Sequence, residues 1–298
     1  MLEEIHFLLT YHCNFECDHC FLYCGPKTAG TFTIRQVDQV LQEAIRIGTV
    51  NRVYFEGGEP TLYYPLLLES IRRASQYGLE VGIVSNAYGA LTEEDARLWL
   101  EPLAEAGLSV LAVSDDPFHY GDQVNTPAST ARKVGAELGL KAFPISIDPP
   151  RILEQPEGGK GDSLIDGGAK FRGRAADTLT EGLPTRPWTD FQECPYEDLA
   201  APSRVHVDPF GEIHICQGIS IGNFWKEPLS QIIAAYHPDD HPICGPLHKK
   251  GPAGLIESLD ITPRETYVDE CHACFSVRRE MLDEYPQQLA PRQVYGSQ

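Results

Sequence analysis

Three cysteines near the N-terminus, in Cys13-Asn-Phe-Glu-Cys17-Asp-His-Cys20, constrain this chain more than any other feature. They have the spacing C-x3-C-x2-C and follow an apolar run from Ile5 to Leu9. Thiolates grouped this tightly are how proteins hold iron–sulfur clusters. A four-iron cluster on three thiolates keeps one iron without a protein ligand. Such an iron can bind a small molecule, so the site could do chemistry as well as carry electrons. Tetrahedral zinc is the competing reading of the same thiols.

The nine cysteines of the 298-residue chain fall at 13, 17, 20, 24, 194, 216, 244, 271 and 274. The gap between Cys24 and Cys194 implies a body with a metal site at each end. Met1-Leu-Glu-Glu lacks the basic start of a signal peptide. No run approaches the roughly 18–20 apolar residues of a membrane span. We therefore expect a soluble, cytoplasmic protein, in which grouped cysteines bind metal rather than form disulfides. Asp and Glu outnumber Lys and Arg by 43 to 24, for a formal net charge of −19. That balance argues against nucleic acid or an anionic membrane as partner and mildly favours a neutral or cationic substrate. The basic pairs Lys249-Lys250 and Arg278-Arg279 read as solvated surface.

Between residues 5 and 147 short apolar runs alternate with amphipathic ones. Strands are expected at 5–10, 52–56, 80–85, 109–114 and 141–147, and helices at 33–47, 65–77, 92–106 and 126–138. Thr33 and Thr92 are N-cap candidates, and Gly48, Gly78 and Gly107 are stops. Repeated β–α units imply parallel strands and an α/β fold, either a barrel or an open sheet. Both gather chemistry at the C-terminal strand ends. The cysteine triad, Glu56-Gly57-Gly58-Glu59-Pro60, Ser85-Asn86 and Ser114-Asp115-Asp116 follow the first four strands in turn, so they converge on one rim. Residues 148–177, rich in Gly and Pro and including Gly158, Gly159 and Gly161, read as a linker with one short strand near 170–174.

C-x3-C-x2-C after a first strand and Gly-Gly-Glu-Pro after the second resemble the radical SAM enzymes, over about residues 4–147. The resemblance implies a partial (β/α)6, TIM-like barrel. It implies a [4Fe–4S] cluster on Cys13, Cys17 and Cys20, whose open iron chelates S-adenosylmethionine. Gly57, Gly58 and Glu59 would meet the methionine amino group, glycine allowing close approach and Glu59 offering a carboxylate. His19 stands where the family usually has an aromatic residue near adenine. Ser85, Asn86, Ser114 and Asp116 would lie near ribose or substrate, by position. His119 is a candidate substrate contact, and we group it with Asp116 as candidate catalytic residues. Cys24 lies outside the pattern and reads as a spare thiol, and His12 as a rim residue.

The last third holds Cys194, Cys216, Cys244 and Cys271-His-Ala-Cys274. Residues 205–216 alternate like a β-hairpin with a turn at 208–211. With Gly222-Asn223, the late C-x2-C and Phe171-Arg-Gly-Arg-Ala175, this resembles the auxiliary-cluster extension called SPASM, or its shorter relative, twitch. The resemblance implies one auxiliary [4Fe–4S] cluster on Cys194, Cys216, Cys271 and Cys274, with Cys244 fitting less well. Zinc remains the alternative there. The expected division is a core at 1–190 and an auxiliary iron–sulfur domain at 191–298. The expected function is that of a radical SAM oxidoreductase or maturase. It would cleave S-adenosylmethionine to a 5′-deoxyadenosyl radical and abstract hydrogen from a peptide side chain. A low-potential donor of the flavodoxin or ferredoxin type would reduce it. The first strand starts close to Met1, so a peptide would need a separate recognition protein or direct docking. Dehydrogenation of a small molecule is the alternative reaction, and a non-enzymatic iron–sulfur or zinc protein the alternative class.

Overall fold

In the computed structural model, residues 1–153, 165–259 and 261–297 are described. The N-terminal half alternates β1 (Glu4–Thr10), α1 (Ile34–Ile47), β2 (Arg52–Gly57), α2 (Tyr64–Gln76), β3 (Glu80–Ser85), α3 (Glu93–Glu105), β4 (Val110–Ser114), the single turn α4 (Pro117–Tyr120), α5 (Pro127–Glu137) and β5 (Lys141–Ile145). The expected strands and helices are all present, with ends shifted by one or two residues. Local chemistry explains the boundaries. Thr33 and Thr92 each form a reciprocal capping box, with Gln36 and Asp95. Gly48 ends α1 in the left-handed region at φ 79°.

Strand alternation sorts side chains to two faces. Ile5, Phe7, Leu9, Val53, Phe55, Val81 and Ile83 pack with Val37, Val40, Leu41, Leu67 and Leu100 of the helices in one buried core. His6, Tyr54 and Glu56, at intervening positions, face the other way.

The second half brings the two-residue strands β6 (Arg151–Ile152), β7 (Ile165–Asp166) and β8 (Arg186–Pro187), the turn α6 (Ala175–Thr178), then β9 (Arg204–Val207), β10 (Glu212–Cys216) and β11 (Ile219–Asn223). After these come α7 (Leu229–Ala235), α8 (Cys244–Ser258), β12 (Thr266–Tyr267) and α9 (Glu270–Glu280). Non-helical Lys250 and Gly251 interrupt α8 just before Pro252. β6 pairs with β7, and β8 with β12.

The expected hairpin is β9–β10, antiparallel as predicted. Its placement is new: β9 pairs in parallel with β1, His206 opposite His6. One eight-stranded sheet results, in the order β11-β10-β9-β1-β2-β3-β4-β5. Its sixth parallel strand is β9, beside β1, rather than a strand following β5. Val205, Val207 and Ile213 join the core of Ile5 and Phe7.

Two expectations need correction. Residues 170–174 form bends and turns, not a strand, because Gly173 takes φ 63° and its neighbours Arg172 and Arg174 reach in different directions. Arg278 is not surface: it is 1% exposed, since its guanidinium has buried partners in Gln217 O and the Tyr295 hydroxyl. Gly158, Gly159 and Gly161 lie outside the described residues.

Phe7 is fully buried and its ring packs against Phe32 at 5.8 Å and Phe55 at 4.9 Å. Phe7→Ala should therefore lower stability by about 3–5 kcal/mol in urea unfolding. A loss under about 1 kcal/mol would count against this core.

Candidate functional site

The rim at the C-terminal ends of the parallel strands encloses a cavity of about 200 Å³. Cys13, Cys17 and Cys20 lie on its wall, as do Gly57, Gly58, Ser85, Asn86, Ser114, Asp116, His119 and His19. Most rim residues expected from the sequence are therefore brought to one place; Glu59, Pro60, Asp115 and His12 are not among the lining residues.

The cysteine loop is fixed by its own backbone. Cys13 N–H donates to Gly25 O (3.2 Å), and Cys20 N–H to Cys17 O (3.1 Å). Phe15 N–H points at the Cys13 sulfur (3.4 Å). Burial pushes the Cys13 and Cys17 thiols up to about 12. Cys20, hydrogen-bonded by the Cys24 thiol, is drawn down to about 6 despite burial. Cys24 shares the cavity wall and pairs with a triad member, so it is more than a spare thiol. Two buried thiols that resist ionisation need a cation between them to become thiolates. The triad thus fits a metal cluster by its own chemistry.

The glycines have a sharper purpose than expected. A Cβ on Gly58 would stand 2.1 Å from His12 O, and one on Gly57 would stand 2.4 Å from Thr10 O. Gly58 N–H donates to Thr10 O (2.6 Å) and Glu59 N–H to His12 O (2.9 Å). Glycine is thus required here because the end of β2 lies against the backbone that launches the cysteine loop.

Glu59 is not on the wall. It is fully buried and accepts hydrogen bonds from Thr61 N–H (3.0 Å), the Thr61 hydroxyl (2.5 Å), the Ser85 hydroxyl (2.9 Å) and Asn86 N–H (2.8 Å). Burial nevertheless pushes its carboxyl upward. Its carboxylate braces the turn after β2 against the end of β3. Asn86 is braced in turn, donating to Asn14 Oδ1 (2.9 Å) within the cysteine loop.

Asp116 caps α4, accepting from Phe118 N–H (3.1 Å) and His119 N–H (3.2 Å). Its Oδ1 also lies 2.8 Å from His119 Nδ1. The carboxylate thereby holds the imidazole with Nδ1 as donor, and Nε2 is left as a proton acceptor. His19 packs on Phe118 and His119, with ring centroids 4.6 and 5.3 Å away. Burial drops it to about 4, so its ring is neutral.

A second cavity is lined by Cys194, Cys216, Cys271 and Cys274, the four cysteines expected to act together. Cys244 is fully buried and is not among its lining residues. Arg172 and Arg278, also on this wall, are 6% and 1% exposed. The Arg172 guanidinium lies 3.0 Å from the Cys216 sulfur. Two buried cations are costly without anions; Glu197 lies 3.4 Å from Arg172, and thiolates at these cysteines would add further negative charge.

The sequence reading quoted Arg172 and Arg174 only within a resemblance and Arg278 as surface, and gave none of them a role at the cysteines. Arg174 donates to Cys17 O (2.6 Å) and Cys24 O (2.7 Å), while Arg172 reaches the other cysteine group. A Cβ on Gly173, between them, would stand 2.4 Å from Phe21 Cα. The segment Arg172-Gly173-Arg174 therefore ties both thiol groups together. Its visible signal was two arginines flanking a glycine.

Residues 7–134 match the family model described as Radical SAM superfamily. Over that stretch the chain is similar to the radical SAM superfamily. Over 148 residues it is 33% identical to the probable GTP 3′,8-cyclase of Saccharolobus solfataricus, covering 49% of this chain and 47% of that one. Over 134 residues it is 29% identical to the mycofactocin maturase MftC of Mycobacterium ulcerans, covering 45% and 35%. Over 111 residues it is 23% identical to YydG of Bacillus subtilis, a protein named for peptide biosynthesis, covering 37% and 35%. Each match spans less than half the length of the relative. Among solved structures, BtrN in complex with AdoMet and 2-DOIA superposes with TM-score 0.54 at 16% identity, covering 87% of this chain and 91% of that one. That likeness is one of fold. Among the described residues, no helix is long and apolar enough to cross a membrane.

Gly58→Ala should push the cysteine loop off β2. We expect anaerobic reconstitution to load less than half the wild-type iron at the triad, measured on a variant that also lacks Cys271 and Cys274. Full loading would show that the loop tolerates the Cβ.

Proposed function

We propose that this chain is a radical SAM oxidoreductase of the maturase type, carrying one auxiliary [4Fe–4S] cluster. The observation that carries this reading is the convergence of Cys13, Cys17 and Cys20 with Gly57 and Gly58 on one cavity at the strand ends. When bound there, the cluster and S-adenosylmethionine supply one-electron cleavage that yields a 5′-deoxyadenosyl radical. The chain's own residues do the rest. The three thiols hold the cluster, and the Gly57–Gly58 backbone offers polar groups to the methionine end. The buried wall keeps water from the reacting carbon, and Asn86 and Ser114 position ribose or substrate. His119, oriented by Asp116, takes the proton released when the substrate is oxidised. Cys194, Cys216, Cys271 and Cys274 would hold the auxiliary cluster, which would supply an electron-accepting centre when bound. Residues 1–190 form the radical-generating part and 191–298 the auxiliary part, although β9 and β10 belong to the sheet of the first. A low-potential flavodoxin- or ferredoxin-type protein is the electron donor.

A peptide side chain is the proposed substrate, supported by relatives named for peptide biosynthesis and for maturation. The Asp116–His119 pair also suits dehydrogenation of a small alcohol, since removing an O–H proton needs such an acceptor.

Anaerobic incubation with S-adenosylmethionine and dithionite should give 5′-deoxyadenosine, and the Cys13→Ala/Cys17→Ala/Cys20→Ala variant should give none. Cluster-loaded wild type that forms none would sink the proposal. Replacing Cys271 and Cys274 by Ala should remove about four irons per chain. Loss of about one zinc instead would make the second centre a zinc site, and no change in either metal would remove it.

A further inference from the structure

Three ionisable side chains on adjacent strands take no part in the function just described. His6 lies on β1, His206 opposite it on β9, and Glu56 on β2. They share the sheet face that the helices do not cover. Glu56 Oε2 is 3.3 Å from His6 Nδ1, and Glu56 Oε1 is 3.2 Å from His206 Nε2. All three ligand atoms lie within 4.8 Å of one another.

The simplest account would be a carboxylate hydrogen-bonded to two imidazoles, but the geometry does not favour it. His6 Nδ1 is among the buried nitrogens without a hydrogen-bond partner although Glu56 Oε2 lies 3.3 Å away, so the angle at this contact, not its length, fails. Two donors bound at about 2.1 Å to one ion stand about 3.0 Å apart in cis-octahedral geometry and about 3.4 Å in tetrahedral geometry. The two Glu56–imidazole separations, one to each carboxylate oxygen, fall between these values, and the carboxylate would bind through both oxygens.

The other side of His6 fits as well. Its Nε2 lies 3.3 Å from Glu4 Oε2 in hydrogen-bonding geometry. Glu4 is itself held by Arg52 (2.7 Å). A carboxylate receiving the second N–H of an imidazole is the usual support for a metal-binding histidine.

We propose that His6, Glu56 and His206 bind one divalent first-row transition cation, with Glu4 orienting His6. Two imidazoles and a carboxylate suit manganese, iron, cobalt or zinc and leave coordination positions open. Glu56 also lies on the wall of the reaction cavity. The open positions would be filled by water. This site is separate from both cysteine groups and stands whether or not the chain performs radical chemistry.

Cobalt(II) is a suitable probe. Cluster-loaded protein, with its cubanes oxidised and EPR-silent, is incubated anaerobically with Co²⁺, desalted and analysed for metals. Wild type should retain about one cobalt per chain with a high-spin Co²⁺ EPR signal. His206→Ala and Glu56→Gln should retain less than a tenth of that, with iron unchanged. Glu4→Gln should weaken binding about 10–100-fold. X-ray absorption at the cobalt edge on wild type needs no variant, and should show nitrogen and oxygen ligands with imidazole scattering. A sulfur shell, no retained cobalt, or equal retention in His206→Ala with its iron intact would each overturn the site.

Discussion

At the C-terminal rim of the sheet, two backbones approach so closely that neither Gly57 nor Gly58 has room for a Cβ. The hydrogen bonds from Gly58 and Glu59 to Thr10 and His12 use this approach to lock the end of β2 onto the start of the cysteine loop. Glu59 then carries the constraint sideways to Thr61, Ser85 and Asn86, and Asn86 returns it to Asn14 in the loop. The positions of Cys13, the glycine turn and the end of β3 are therefore one mechanical unit. The motif reads as ligand recognition, but much of its residue choice is set by chain packing. Only the atoms left facing the cavity are available to a ligand.

A second unit couples the two thiol groups. Arg174 holds carbonyls of the N-terminal loop, and Arg172 lies on the Cys216 sulfur, with Gly173 wedged against Phe21 between them. A buried guanidinium that loses its partner costs about 3–5 kcal/mol. Each arginine thus ties the folding of its neighbourhood to the charge state of nearby sulfur. Arg278, beside the same four cysteines, repeats the logic with Gln217 and Tyr295. Sheet pairing adds a third coupling, because β9 hydrogen-bonds to β1 and Tyr11 donates to Asp208 (2.9 Å). The C-terminal half is therefore built into the sheet as well as packed against it.

What could be read in the sequence follows from the range of the physics. The β–α alternation, the N-caps at Thr33 and Thr92 and the hairpin at 205–216 are local patterns, and all were legible. The convergence of rim residues was legible because parallel topology forces it. The pairing of β9 with β1 was not, since it joins residues about 200 positions apart with no local signal. The buried state of Arg278 was hidden for the same reason: a dibasic pair looks solvated until its partners are known. The bracing hydrogen bonds of Glu59 were not legible, because the motif names the residue type but not where its carboxylate points.

The long-range pairing also created the constellation that no sequence pattern announced. His6, Glu56 and His206 are separated by 50 and 150 positions. They meet because β9 lies parallel to β1, with His206 in register with His6. A one-residue shift of that register would turn His206 into the helix-packed core and leave Glu56 with one imidazole. Hydrophobic Val205 and Val207, buried on the other face, hold the register. The same alternation that buries two valines thus exposes one histidine to Glu56. A site that depends on such a register is preserved only as long as the core packing is. That links the proposed metal site to the sheet that also carries the cysteine rim.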